Sequence, residues 1–392
     1  MRRRLLAVIL ATVVFLGATT SVGAANTRAI EQLDLSLDDC IRLAEENNNN
    51  IKVASIGIEK AKMAEKQFDK QYDEYDGAKK MPRQVIETGD LIYDSIIGML
   101  TPSMTTYDTL LSMETGKIMS ELGVGLATDG YEHVVRQIKF AVEASYYGAL
   151  QARDNVDIHR RSLERTEEQL KLSELEFKVG SVAKRDVLDS EVQVARAKAE
   201  YNQALRERDI AYMKLKEIIG LELDTPINLI SDFEFEPNEE EIDLEKLIKK
   251  ALKDRIEIRQ AEYNFKVAEK GLEIAKAAYA PNVNIYKEAE YDYNEAKLGL
   301  EDTKTAIEAD VREAYLKMQG ALESISVLEK SVKLARESVR LAKLQYKAGF
   351  IRSIDALAAE NALKQVEVQK SAVIYGYNLA KAQFYNAIGG KE

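Results

Sequence analysis

Two aspartates stand at matching places in this chain. Asp186 follows Gly180 by six residues, and Asp355 follows Gly349 by six. A carboxylate just past a helix-ending glycine is placed to cap the next helix, by accepting its free N–H groups. Little else in the sequence offers reactive chemistry. His133 and His159 are the only histidines, and neither has a partner at ligand spacing, so no metal site is expected. Cys40 is the only cysteine, so no intramolecular disulfide is possible. It falls on the apolar face of the first helix, where a packed thiol is expected. No paired carboxylates, serine elbow, P-loop or dinucleotide fingerprint occurs, so the chain reads as neither an enzyme nor a cofactor binder.

The elements that carry the two aspartates are copies of one another. Phe140–Gly220 aligns with Ala309–Gly389 without a gap, so Phe177-Lys178-Val179-Gly180 falls on Tyr346-Lys347-Ala348-Gly349. Upstream, Leu37–Ala61 repeats as Leu244–Ala268 at a different offset. The chain is thus a duplicated helical hairpin with extra residues in its first copy. The reading divides it into a leader at 1–25, a first repeat at 34–220 with an insert at about 80–130, a linker at 221–241, and a second repeat at 242–392.

The leader has the pattern of an export signal. Arg2-Arg3-Arg4 precedes a short apolar run, Leu5–Leu16, and small residues end at Ala24-Ala25. No cysteine stands at that cleavage point, so no lipid anchor is expected there. The formal net charge is -11, and removal of the leader arginines makes it more negative, which argues against a nucleic-acid partner. Charged residues make up 31% of the chain, aromatics 7%, and tryptophan is absent, as suits long helices bathed in solvent.

Residues 103–225 and 282–392 contain no proline, which permits very long helices. One helix is expected over Lys139–Val179 and another from about Lys184 to Ile219, joined by a turn too short for anything but antiparallel packing. The second repeat is expected to replay this: Leu244–Ala280, a break, a helix to Lys347, the Gly349 turn, and a helix to Ile388. Apolar residues recur at sevens. Val156, Leu163, Leu170 and Phe177 form one row, and Ile325, Val332, Val339 and Tyr346 form its counterpart. Val327, Leu334, Leu341 and Ala348 form a second row beside that counterpart. Sustained heptads mean helices wound along a seam, and two adjacent rows mean a neighbour on each side.

The turn segments 177–191 and 346–360 resemble the paired periplasmic hairpin turns of the TolC-type outer membrane efflux proteins. Leu35-Ser36-Leu37-Asp38-Asp39 and the terminal Ile219-Gly220 and Ile388-Gly389 resemble the opening and ends of that family's repeat. The resemblance implies an all-α chain of long antiparallel hairpins. It implies a homotrimer whose twelve helices form a hollow coiled-coil α-barrel. The turns Gly180-Ser181-Val182 and Gly349-Phe350-Ile351 would close its inner end and dock a periplasmic adaptor, served by an inner-membrane pump. Asp186 and Tyr346 match a closing network at that tip, and Asp355 matches an acidic residue of its entrance. Capping and aperture-lining are compatible roles for the aspartates. The family's closing arginine falls at Ile351, with Arg352 next to it, and its second acidic entrance residue falls at Ala358. Arg185 and Arg352 are the substitutes the sequence offers.

The membrane barrel is the larger departure. The second repeat offers only Tyr279–Tyr286 where family members insert a strand pair, which is too short. The insert of the first repeat has apolar pairs at helical spacing, so a helical replacement with little or no β-barrel is expected. An irregular short-strand barrel is the alternative. Membrane contact, if made, would run through residues 91–126. The reading is therefore an exported, envelope-located, trimeric conduit for passive efflux, with a structural coiled-coil spacer or adaptor without a lumen as its rival.

Overall fold

The computed structural model describes residues 32–80, 106–230 and 242–390. The expected leader, residues 81–105 of the insert and residues 231–241 of the linker lie outside them. Among the described residues, strand is confined to β1 (Leu33–Leu35) and β2 (Ile227–Leu229), which pair in parallel. All else regular is helix. The first repeat holds α1 (Leu37–Asn47), α2 (Asn49–Lys80), α3 (Tyr107–Lys178) and α4 (Lys184–Ile219). The second holds α5 (Leu244–Asp254), α6 (Ile256–Ala278), α7 (Asn284–Lys347) and α8 (Ser353–Ala387).

The helix starts follow from local chemistry. Ser36 Oγ accepts from the Asp39 N–H at 3.1 Å, and the Asp39 carboxylate accepts from the Ser36 N–H at 3.2 Å. This reciprocal pair satisfies two donors that the first turn of α1 leaves free. Asp243 does half of the same task for α5, accepting from the Lys246 N–H.

Helix α3 is longer than the heptads suggest. It runs 72 residues, about 110 Å at 1.5 Å per residue, and takes in the second half of the insert without a break. The helix passes through Gly116, Gly123 and Gly125. Among them Gly116 is a contact point: a Cβ there would lie 2.6 Å from Cζ of Phe68 on α2. The second repeat departs the other way. Its leading helix splits at Arg255, an extended residue between α5 and α6, just as Asn48 separates α1 from α2.

Near mid-length the two repeats build equivalent cores. Val142, Tyr146, Leu215 and Ile219 pack with Cys40, Ala44 and the two strands. Their duplicates Val311, Phe384 and Ile388 pack with Ile248 and Ala251, with Tyr315 against them. Burial pushes the Cys40 thiol up to about 12, so it is a packing group. Above these cores α2, α3, α6 and α7 run side by side. Below them the order is α4, α3, α8, α7.

The lower seams differ in kind. Ile325, Val332, Val339 and Tyr346 are buried as the heptads require. The row Val156, Leu163, Leu170 and Phe177 is not a buried seam: Val156 alone is buried, and Phe177 is exposed. The face of α3 that turns inward instead carries Ser162, Thr166, Gln169 and Ser173, also at alternating three- and four-residue steps. Sequence reasoning followed the apolar residues and missed this polar stripe. It meets Ser353 and Glu360 of α8. Gln169 Nε2 donates to Ser353 Oγ at 3.0 Å, and Glu360, 5% exposed, receives Lys343 at 2.9 Å with Arg165 at 3.9 Å. Further up, Lys364 of α8 meets Glu200 of α4 at 2.5 Å, and His159 of α3 lies 3.6 Å from the same carboxylate. The second hairpin is held internally by an apolar seam, and below the mid-length cores the two hairpins meet largely through polar side chains.

Two outcomes are expected. Only the five residues Tyr279–Val283 separate α6 from α7, and helix resumes at Asn284, so no strand pair exists there. Far-UV circular dichroism of the purified protein should be that of a helical protein, with no heat-modifiable barrel band on a gel; substantial strand signal would contradict it. The second concerns pH. Burial holds the His159 imidazole below its usual 6.5, against the pull of Glu200. The unfolded chain therefore takes the proton first. Its contribution to stability is full above the unfolded value and is lost as pH falls toward the folded one. Melting of the wild type between about pH 7.5 and 5 should fall more steeply than melting of His159→Gln.

Candidate functional site at the hairpin turns

Both turns are built by one device. Gly180 has φ 79° and Gly349 φ 74°, the left-handed conformation that ends a helix. In the first, the Ser181 N–H donates to Glu176 O at 2.8 Å and the Gly180 N–H to Phe177 O at 3.0 Å. In the second, the Phe350 N–H donates to Gln345 O at 2.9 Å and the Gly349 N–H to Tyr346 O at 2.9 Å. These bonds use up carbonyls that would otherwise be left bare at the end of α3 and α7. No atom lies within 4 Å of a Cβ placed on either glycine, so backbone conformation alone selects it.

The aspartates cap. Asp186 Oδ2 accepts from the Ala183 N–H at 3.1 Å, and Asp355 Oδ2 accepts from the Arg352 N–H at 3.1 Å. Each reaches back from the third helical position, where a negative charge also suits the helix dipole. Arg352 is mostly exposed and its guanidinium reaches only its neighbour Asp355, at 3.7 Å. Arg185 is likewise exposed and sits 3.8 Å from Asp189. Neither arginine crosses to the other hairpin within one chain.

Tyr346 does cross. Its hydroxyl donates to the Glu176 carboxylate of α3, which ties the end of α7 to the end of the first hairpin. Burial, then that carboxylate, push the phenol up to about 12, so it stays a donor at all ordinary pH. The partner is thus Glu176, while Asp186 is engaged in its cap. Glu176 precedes the turn and has no counterpart role in the resemblance, so sequence reasoning passed over it. Around this link Ser173 Oγ lies 3.2 Å from Ser190 Oγ and 3.4 Å from Ser353 Oγ, joining α3, α4 and α8. The turn surfaces themselves are apolar. Val179 is 77% and Phe350 82% exposed, Val182 and Ile351 are half-buried, and Ser181 is exposed. Ile351 packs on the small core of Ala342, Tyr346 and Ala356 beneath the turn. Among the described residues no cluster of side chains could hold a metal ion, and the turns' features are those of a rigid, greasy-tipped hairpin pair.

Comparison with known proteins agrees with this geometry. No match emerges among curated proteins. Solved structures share the fold. A membrane protein from Pseudomonas aeruginosa superposes with a TM-score of 0.69 at 15% identity, covering 92% of this chain and 91% of that one. The CmeC outer membrane channel of Campylobacter jejuni gives 0.66 at 15%, covering 90% and 85%. The MtrE outer membrane channel of Neisseria gonorrhoeae, in its open state, gives 0.62 at 17%, covering 93% and 94%. The family model for outer membrane efflux proteins matches residues 124–221 and 284–390, more than half of the chain and both turns. The chain therefore belongs to the outer membrane efflux protein family, the TolC-type efflux channels of the cell envelope.

Proposed function

We propose that three copies of this chain close into a ring of helices, a passive conduit for small solutes. Its turns dock a periplasmic adaptor, and an inner-membrane pump supplies the energy. The observation that carries this reading is a pair of apolar edges that no other described residue covers. In the lower layer α7 is one edge and α4 the other. On α7, Val327 is 62% and Leu334 72% exposed, and Leu341 continues the row. On α4, Leu188, Val192, Ile210 and Met213 are exposed. In the upper layer the α7 edge continues through Tyr291 and Leu298, and the opposite edge, α2, exposes Val53, Ile56 and Met63. Covering one such side chain is worth about 1.5–3 kcal/mol, so a long row of them favours association strongly. An edge that meets a different edge associates head to tail, and rings result when the rotation closes. Four helices at each level in three copies make twelve. The exposed Val179 and Phe350 give the turn end of the ring an apolar rim, which suits a protein partner better than free solvent.

Mass photometry of the purified protein should show a species of three times the chain mass, and Leu334→Glu should convert it to monomer. A wild type that stays monomeric at micromolar concentration would sink the ring. At the turn, Gly349→Val forces a β-branched residue into the left-handed region and should lower stability by about 1–2 kcal/mol, with Gly349→Asn milder. For docking, Phe350→Ser should reduce efflux of a dye from cells carrying the partner pump while protein level and trimer are unchanged. Loss of the trimer in that variant would assign Phe350 to assembly instead.

A further inference from the structure

At the upper end, three helices enclose a groove that the hairpin turns do not involve. Its volume is about 580 Å³, and its walls are the first turns of α3, the middle of α6 and the start of α7. Drug-sized ligands occupy sites of this order, mostly apolar with a few placed polar groups. The walls contributed by α3 and α6 lie outside the stretches 124–221 and 284–390 that the family model matches.

The lining has two parts. Leu111, Val267 and Ile285 supply apolar surface. Gly271 keeps the α6 wall low, with Leu111 Cδ1 3.7 Å from where its Cβ would stand. Tyr107 adds a ring held edge-on to Tyr279 at 5.0 Å. Around that ring are three carboxylates, Asp108, Glu288 and Asp292, and the charges of all three act on its phenol. None of them forms an ion pair or hydrogen bond among the described residues. Their charge is therefore not offset there, in contrast to helical pairs such as Glu313 with Lys317 and Glu337 with Arg340. An apolar, aromatic groove with unpaired negative charge at its rim complements one kind of guest: a body of apolar rings that carries a delocalised positive charge. The tyrosine face adds cation–π attraction to the charge term.

We propose that this groove binds amphiphilic organic cations. The role of such binding, a resting place for solute inside the conduit, rests on the function proposed above; the binding itself does not. Hydrophobic body and positive charge act together here. A neutral ring compound lacks the carboxylate term, and an anionic dye is repelled by it. Weak binding suits a conduit, because a solute must leave as readily as it enters.

The test is fluorescence anisotropy of rhodamine 6G, a cationic dye, titrated with the purified full-length protein in its native assembly. Saturable binding that weakens with added salt is expected. The double variant Glu288→Gln/Asp292→Asn should weaken it at least fivefold, and Gly271→Leu, which fills the groove with a good helix former, should weaken it as much without changing charge. Fluorescein, an anionic dye, should not bind the wild type. Circular dichroism and mass photometry of each variant show that fold and assembly are intact. Rhodamine binding unchanged in both folded variants, or insensitive to salt, overturns the proposal. Monomeric protein that binds rhodamine in this charge-dependent way upholds the groove and counts against the conduit. A trimer indifferent to all these changes counts against the groove and leaves the conduit standing.

Discussion

A helix of about 110 Å can bury its sides only against other helices that run beside it. That constraint shapes the rest of this molecule. Helix α3 and helix α7 run nearly its whole length, and every other element is a shorter piece laid against them. Side-by-side packing of this kind gives a layer one helix thick. Such a layer has two edges, and each edge keeps an apolar stripe that a compact domain would have folded inward. The ring proposed above would thus be a consequence of helix length, and helix length is permitted by the long stretches free of proline.

The repeats divide labour between apolar and polar contacts. Within the second hairpin, Val332, Val339 and Leu363 pack like a globular core. Between the hairpins, serines, Gln169 and the Glu360 cluster replace them. Apolar seams are indifferent to a partner's detailed groups, whereas buried polar groups must each find one, so the second kind fixes register more narrowly. Tyr346 and Glu176 add one such fixed point where the two turns approach.

Much of this was legible in the residues. The duplication, the all-helical class and the two turns were readable because glycine in the left-handed region and seven-residue spacing both have few causes. The aspartates proved to be caps, which their distance past the turns had allowed. Three things were hidden. The continuity of α3 through the insert brings Gly116 against Phe68 of α2, a contact that no local pattern announces. The inward face of α3 is polar, so a search for apolar rows chose the wrong stripe. The parallel pairing of Leu33–Leu35 with Ile227–Leu229 joins segments far apart in sequence, each too short to show a strand pattern.

The continuity of α3 also has a mechanical meaning. Val142, fully buried in the mid-length core, lies near the midpoint of the helix, while α4 and α8 both end at that level. The helix is therefore a beam held near its centre, as on a pivot, with two arms of almost equal length. A sideways displacement of the lower arm reappears at the upper arm with opposite sense and similar size. The far end of the molecule is coupled to whatever grips its turns by stiffness alone, with no hinge between them to absorb the motion.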